Sequence, residues 1–459
     1  MRTLTRRNLL RGLGPAALGM SLPARLASAE PKKLNFIFIL IDDLGWTDLS
    51  CYGSTFYETP QTDRLASLGM KFTHGYATAP VCSPTRSSVM TGKYPARVNI
   101  TGIVPGQAEG LALKEVTIAE RLKEAGYATA SIGKWHLGRE ALYPERQGFD
   151  VNVGGTHIGM VSDFFYPAWT EAKGRGARGS VPVEGKPGDY LADRLTDEAL
   201  KFIEGNSDRP FFLYLSHYLV HTPMQAKLDV IAKYKHKMKP GEAHNNAIYA
   251  AMIESMDESV GRILQKIEDL KIDDRTVVIF TSDNGGLSVR DAPDTPATSN
   301  VPLRAGKGYM YEGGIRVPLI VRWPGVVRPG SVCDVPAASI DFFPTMLEMA
   351  QLKRDKSNPV DGVSMVPVLK GKDKLRRDTL YWHYPYYDIE GAEPGGVVRK
   401  ANYKLIEFYA DKRLELYDLA ADGSETRNLA TEMPDKTKQL HKLLDNWRKS
   451  VGAEPLIRK

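Results

Sequence analysis

Cysteine is scarce in this chain: 459 residues contain three, Cys51, Cys82 and Cys333. Three thiols make no disulfide framework, so the fold is expected to rest on a buried core; Cys51 with Cys333 is left open as a pair if Cys82 is engaged otherwise. Long apolar runs are lacking as well. The stretch 13–22 is broken by glycine and proline and is too short for a stable bilayer anchor. An excess of one charge is also missing beyond the first residues. The formal charge is +6, but Arg2, Arg6, Arg7, Arg11 and Arg25 lie in the first 29 residues, which hold no acid, and the remainder carries 56 basic against 55 acidic residues. The basic balance therefore belongs to the leader and gives no case for a nucleic-acid-binding face. No internal repeat, coiled coil or low-complexity tract is evident. What is present, 42% apolar and 25% charged residues, fits a large globular domain with a satellite.

Residues 1–29 read Thr5-Arg6-Arg7-Asn8-Leu9-Leu10, then the weak apolar stretch, then Ala27-Ser28-Ala29. That is the grammar of a twin-arginine export signal, with the twin-arginine translocation machinery as partner and a periplasmic or secreted location. An uncleaved tether is the alternative reading.

Residues 34–41 form a near-continuous apolar run that stops at Asp42-Asp43. Such a run predicts a central strand buried on both faces, with its carboxylates in the crevice beyond the strand end where open α/β sheets bind ligands. Two adjacent carboxylates there mark either a cation site or a solvated turn. Residues 276–280 repeat the pattern and end in Thr281-Ser282-Asp283-Asn284-Gly285. Strand 127–132 leads to Gly133-Lys134-Trp135-His136-Leu137-Gly138, and strand 210–215 leads to Ser216-His217-Tyr218-Leu219-Val220-His221-Thr222-Pro223. Lys134 and His136 stand two apart, so an extended backbone turns both to one side; ordinary surface charge is the plain alternative. Helices are expected over 115–125, 189–204 and 246–270, and a further strand over 318–323. The alternation predicts a doubly wound α/β domain on a large mixed, mostly parallel sheet over residues 30–372. Beyond it, short strands at 379–384, 396–399, 403–409 and 414–418 and a helix over 434–451 predict a smaller α+β unit, 373–459, on an antiparallel sheet. The loop 173–179 is basic and glycine-rich, and reads as a surface insertion by the substrate entrance.

The most informative stretch is Pro80-Val81-Cys82-Ser83-Pro84-Thr85-Arg86-Ser87-Ser88-Val89-Met90-Thr91-Gly92. Ser83 and Pro84 suit a helix cap and first turn, which would set Cys82 where unpaired N–H groups favour an anion. Cys-x-Pro-x-Arg followed by Ser-x-x-Thr-Gly resembles the signature of the type I sulfatases, formylglycine-dependent members of the alkaline phosphatase superfamily that include arylsulfatases and polysaccharide sulfatases. The resemblance extends along the chain through Asp42-Asp43, Gly133 to Gly138, His221-Thr222-Pro223, Asp283-Asn284-Gly285 and Gly306-Lys307 to Gly314.

The resemblance implies that Cys82 is oxidised by a formylglycine-generating maturation enzyme to 3-oxoalanine (formylglycine), before export of the folded chain. It implies one Ca²⁺ held by Asp42, Asp43, Asp283, Asn284 and the modified residue 82; the all-oxygen set suits a hard cation. By the same resemblance one hydroxyl of the hydrated aldehyde attacks sulfur and the other later expels sulfate. Arg86 and Lys134 surround the sulfate, His136 accepts a proton, and His221 assisted by Lys307 protonates the leaving oxygen. His217 is a candidate substrate contact or a structural histidine. His383, in Tyr381-Trp382-His383-Tyr384-Pro385, is a candidate substrate contact at the pocket mouth or part of an aromatic core. The implied activity is hydrolysis of sulfate esters on a sulfated carbohydrate. A phosphate or phosphonate ester hydrolase of the same superfamily, or an inactive sugar-binding homologue, is the alternative.

Overall fold

The computed structural model describes residues 33–170 and 180–455; the leader 1–29 and the basic loop 173–179 lie outside the described residues. In chain order the main sheet is built from β1 (Asn35–Ile41), β2 (Met70–Tyr76), β3 (Ala128–Gly133), β4 (Val151–Val153), β5 (Phe211–Ser216), β6 (Thr276–Ser282), β7 (Arg316–Arg322), β8 (Ser331–Cys333) and β9 (Ala337–Ala338). Helices α1 (Pro60–Leu68), α2 (Cys82–Thr91), α3 (Ile118–Glu124), α4 (Leu191–Gly205), α5 (Leu228–Lys235), α6 (Ala247–Asp269), α7 (Glu312–Ile315), α8 (Phe342–Met349) and α9 (Val366–Leu369) connect them. The strand order is β4-β3-β5-β1-β6-β7-β2-β8, with β9 beside β2. All neighbours are parallel except β7, which runs antiparallel to β6 and β2.

The apolar run of β1 explains its central place. Ile37, Ile39 and Ile41 pack into the core on one face with α1, α4 and α6, while Phe36, Phe38 and Leu40 pack into the core on the other face with α2, α3 and α8. A strand buried on both sides has no use for polar alternation. The two faces also decide the cysteines. Cys51 packs against the first core and Cys333 lies in the second, so they are separate free thiols rather than a pair.

Strands β10 (Thr379–Tyr384), β11 (Gly395–Lys400), β12 (Tyr403–Phe408) and β13 (Leu414–Asp418) form an antiparallel sheet in that order, covered by α10 (Pro434–Val451). A third core joins this sheet to the first: Tyr76, Val81 and Ile315 pack with Trp382, Tyr384 and Leu405. Trp382 donates its indole N–H to the Ala77 carbonyl at 2.7 Å. Beneath it Lys404, fully buried, reaches Glu312 at 3.1 Å and Glu425 at 2.8 Å. Among the described residues no helix is long and apolar enough to cross a membrane.

Lys404 is therefore a cation shared by two buried carboxylates at the join. Lys404→Met should lower the free energy of unfolding by about 3–5 kcal/mol, because an uncompensated buried charge is left behind; denaturant titration of the two proteins is the check.

Candidate active site

Parallel register brings the strand ends together. Ile41 pairs with Ser282, Leu40 with Ser216 and Gly133 with Ser216, so Asp42, Asp283, Lys134 and His217 all emerge at one edge. Asp43 and His136 both leave their strands in the left-handed region, φ 61° and 56°. Non-glycine residues hold that conformation at a local cost and turn sharply there, which redirects both side chains toward the crevice. Gly285 allows the β6 turn to approach α7 closely: a Cβ there would sit 1.8 Å from the Gly313 carbonyl oxygen.

Cys82 is the first residue of α2 and is buried. Burial raises its thiol above the ordinary value, with Lys134 opposing and Asp42 reinforcing. Ser83 is not the cap expected from the sequence: Val81 occupies that position without a side-chain bond, and the Ser83 hydroxyl accepts from the Val104 N–H at 3.1 Å. The first turn therefore keeps N–H groups that no capping side chain consumes, a ready anion site.

One turn on, Arg86 is fully buried and spends its guanidinium on three strand ends. It donates to Asp283 Oδ2 from Nε at 3.0 Å and from Nη2 at 2.7 Å, and from Nη1 to Ser216 Oγ at 2.5 Å and the Lys134 carbonyl at 3.0 Å. Lys134 Nζ donates to Asp42 Oδ2 at 2.6 Å. Lys307 Nζ lies 2.8 Å from Asp43 Oδ2 and 2.9 Å from His221 Nε2. Burial works against the Lys307 charge, yet Asp43 holds its pKa above the usual lysine value. His221 is pushed down to about 3 by burial and then by Lys307, so the neutral ring accepts from the ammonium. His136 is likewise lowered by burial, with Lys134 and Arg86 adding to it, and its buried Nδ1 has no hydrogen-bond partner among the described residues.

A metal fits this set on its own geometry. Asp42, Cys82 and Asp283 offer ligand atoms all within 4.8 Å of one another, as do Asp42, Asp43 and His221. Asp42 Oδ1 and Asn284 Oδ1 are buried with no hydrogen-bond partner among the described residues. The Asn284 amide is oriented by donating to Asp43 Oδ1 at 2.7 Å, which leaves its oxygen for another ligand. Oxygen donors dominate, which favours a hard cation.

Two sequence candidates fall elsewhere. His217 points into the helical layer, where Nε2 meets Ser259 Oγ of α6 at 2.9 Å, and burial lowers its pKa to about 4. His383 takes the opposite face of β10 from Trp382 and Tyr384 and meets the Tyr409 hydroxyl at 2.7 Å, on the side of α10. Alternation along β10 puts Trp382 and Tyr384 on the face opposite His383, and the Tyr384 hydroxyl donates to Asp388. Ser216 and Tyr384 were not singled out by sequence. Ser216 closes a strand that announced its polar end, whereas nothing in local spacing marks Tyr384.

Comparison with known proteins agrees with this architecture. The sulfatase family model matches residues 34–352, and the model described as N-sulphoglucosamine sulphohydrolase, C-terminal, matches residues 305–450. A sulfatase of Formosa agariphila is 35% identical over 91% of this chain and 89% of its own. The N-acetylgalactosamine-6-O-sulfatase of Bacteroides thetaiotaomicron is 30% identical over 90% and 93%. The crystal structure of Ps i-CgsB in complex with k-i-k-neocarrahexaose superposes with a TM-score of 0.79 at 27% identity, covering 91% of this chain and 93% of that one. With the fold and the strand-end cluster in place, these define a sulfuric ester hydrolase. The chain belongs to the sulfatase family.

Arg86→Lys keeps the charge and removes the fork. It should cost about 3 kcal/mol or more of stability, since charged hydrogen bonds contribute ~1.5–3 kcal/mol each and at least two are lost; thermal unfolding with and without the substitution measures it.

Proposed function

We propose that this chain removes sulfate from a sulfated carbohydrate, with Cys82 matured to formylglycine and one Ca²⁺ bound by Asp42, Asp43, Asp283, Asn284 and residue 82. The observation that carries the reading is the position of Cys82, at the first turn of a buried helix N-terminus and in ligand-atom range of Asp42 and Asp283. The hydrated aldehyde would supply the attacking hydroxyl, and the cation would withdraw charge from the sulfate oxygens.

The chain's own groups suit the remaining tasks. Three buried carboxylates, Asp42, Asp43 and Asp283, stand against three buried cations, Arg86, Lys134 and Lys307. The cluster is thus balanced by itself, and a divalent cation gives it the positive surplus that an anionic ester requires. Lys134 and the α2 N–H groups face residue 82 and stabilise the sulfate oxygens. Neutral His136, next to Lys134, is able to accept a proton from residue 82. The Lys307 ammonium donates toward His221 Nε2, so the pair would relay that ammonium proton to the departing sugar oxygen. His217 and His383 have no part in this scheme.

Sulfated sugar as substrate is drawn from the relatives, among them the N-acetylgalactosamine-6-O-sulfatase. Residues 1–29 support twin-arginine export and a periplasmic or secreted location, reached after folding and maturation.

Protein from an exporting host that contains the maturation enzyme should yield a tryptic peptide 72–86 with the mass of the aldehyde form, and should release sulfate from sulfated saccharides faster than phosphate from the matching phosphate esters. An unmodified thiol from that host, or a preference for phosphate, would overturn the proposal. Cys82→Ala should lose roughly 10⁴-fold or more in turnover while unfolding at an unchanged temperature. Chelation should abolish activity and Ca²⁺ restore it; Asp283→Asn should weaken Ca²⁺ binding measured by calorimetry on the unreacted protein.

A further inference from the structure

Between β10 and β11 the chain makes a strap, residues 385–394, that leaves the small sheet and packs against the loop that carries Lys307. Tyr386 donates its hydroxyl to the Gln107 carbonyl at 2.9 Å, in the segment whose Val104 N–H is held by Ser83, the neighbour of Cys82. Tyr309, two residues after Lys307, donates its hydroxyl to the Glu390 carbonyl at 2.7 Å. The strap closes on itself through Asp388 N–H to Ala392 O at 3.1 Å and Gly391 N–H to Asp388 O at 3.0 Å. It is therefore tied both to the segment that contacts Ser83 and to the loop that carries Lys307.

Asp388 is the residue this construction aims. Gly308, at φ 86°, permits the contact: a Cβ there would stand 3.3 Å from Asp388 Cγ, so the carboxyl group rests on the backbone next to Lys307. Asp388 Oδ2 accepts the Tyr384 hydroxyl, while Oδ1 receives a long bond, 3.4 Å, from the Glu390 N–H, and the Ile389 N–H also interacts with the carboxyl group. Unlike the buried acids of the metal cluster, Asp388 is partly exposed, between the exposed side chains of Tyr387 and Ile389. Burial and the opposing pull of Tyr384 and Lys307 leave its pKa somewhat raised.

We propose that Asp388, fixed by Tyr384 and seated on Gly308, is the residue that selects the leaving group: its Oδ1, held only by long backbone contacts, accepts a hydrogen bond from a hydroxyl or amide N–H of the sugar beside the scissile sulfate. An acceptor-only group at that place favours a polyol donor and disfavours a second sulfate or a carboxylate. Tyr387 and Ile389 add apolar surface on either side, suited to the C–H face of a pyranose ring. The inference rests on the sulfatase reading and deepens it, because Asp388 lies on Gly308 beside Lys307, one of the two residues to which that reading gives the departing oxygen.

The test compares wild type and Asp388→Asn on three probes: an aryl sulfate, which has no hydroxyl beside the ester, the monosulfated monosaccharide turned over fastest in a panel of sulfated galactose, glucose and their N-acetylamino forms, and its disulfated counterpart. The ratio of kcat/KM for the monosulfated sugar over the aryl sulfate should fall about 10-fold or more in the variant, mainly through KM, because one charge-assisted hydrogen bond contributes ~1.5–3 kcal/mol. Discrimination against the disulfated sugar should relax. Equal losses on all probes would show a structural role and overturn the proposal. A fall in kcat alone, with a shifted pH profile, would show action through Lys307 and overturn it too. Wild type inactive on every sulfate would instead defeat the sulfatase reading itself.

Discussion

The arrangement of the strand-end cluster depends on the buried guanidinium of Arg86. It leaves α2 one turn after Cys82 and ends on Asp283 of the β6 turn, Ser216 of β5 and the Lys134 carbonyl after β3. A single planar fork thereby fixes the helix that carries residue 82 against three strand ends. Lysine offers no such geometry, since its ammonium is a point charge on a flexible stem. The register of the parallel sheet sets the strand ends to within a residue, and the fork sets the helix to the strands. Together they give a site held on rigid elements.

Burying so many charges is a poor way to stabilise a protein. A buried ion pair roughly breaks even against apolar residues of the same shape, and each ion that loses its partner becomes expensive. Here Asp42 is paired with Lys134, Asp43 with Lys307 and Asp283 with Arg86, all from different elements. Two oxygens, Asp42 Oδ1 and Asn284 Oδ1, still go without hydrogen bonds among the described residues. The left-handed backbone at Asp43 and His136 adds local strain at the same place. Cost concentrated on one edge of the sheet, with partners arranged for all but a few atoms, is the physical mark of a binding site rather than of a core.

The sequence displayed much of this because parallel strands write their ends plainly. An apolar run followed by Asp-Asp, Asp-Asn, Lys-Trp-His or Ser-His states both the strand and its polar terminus, and the antiparallel strands β10 and β13 and helix α10 begin and end where their patterns do. What local pattern cannot carry is parity and partner. In the sequence His383 stands either as a pocket-mouth contact or as part of an aromatic core, and alternation along β10 turns it toward α10, on the face opposite Tyr384. Ser83 looked like a cap, yet its hydroxyl is taken by Val104, a contact made from outside the helix. Ser216 and Asp388 acquire meaning only through Arg86 and Gly308, residues far away in sequence.

The two sheets divide the labour in a way their construction explains. The charges of the cluster come from the ends of the parallel strands, from α2 and from the loop before α7, where any shift in register would break several ion pairs at once. The strap 385–394 comes from the antiparallel sheet, which is anchored beneath it by Trp382 on Ala77 and by Lys404 between Glu312 and Glu425. That anchoring is independent of the strap's own exposed side chains. Tyr387 and Ile389 can therefore change without disturbing either core, whereas Tyr384 and Gly308, which aim Asp388, cannot. On the proposed reading, chemistry and selectivity thus rest on separate sets of constraints that meet at Lys307 and Gly308, where adjacent residues serve one set each.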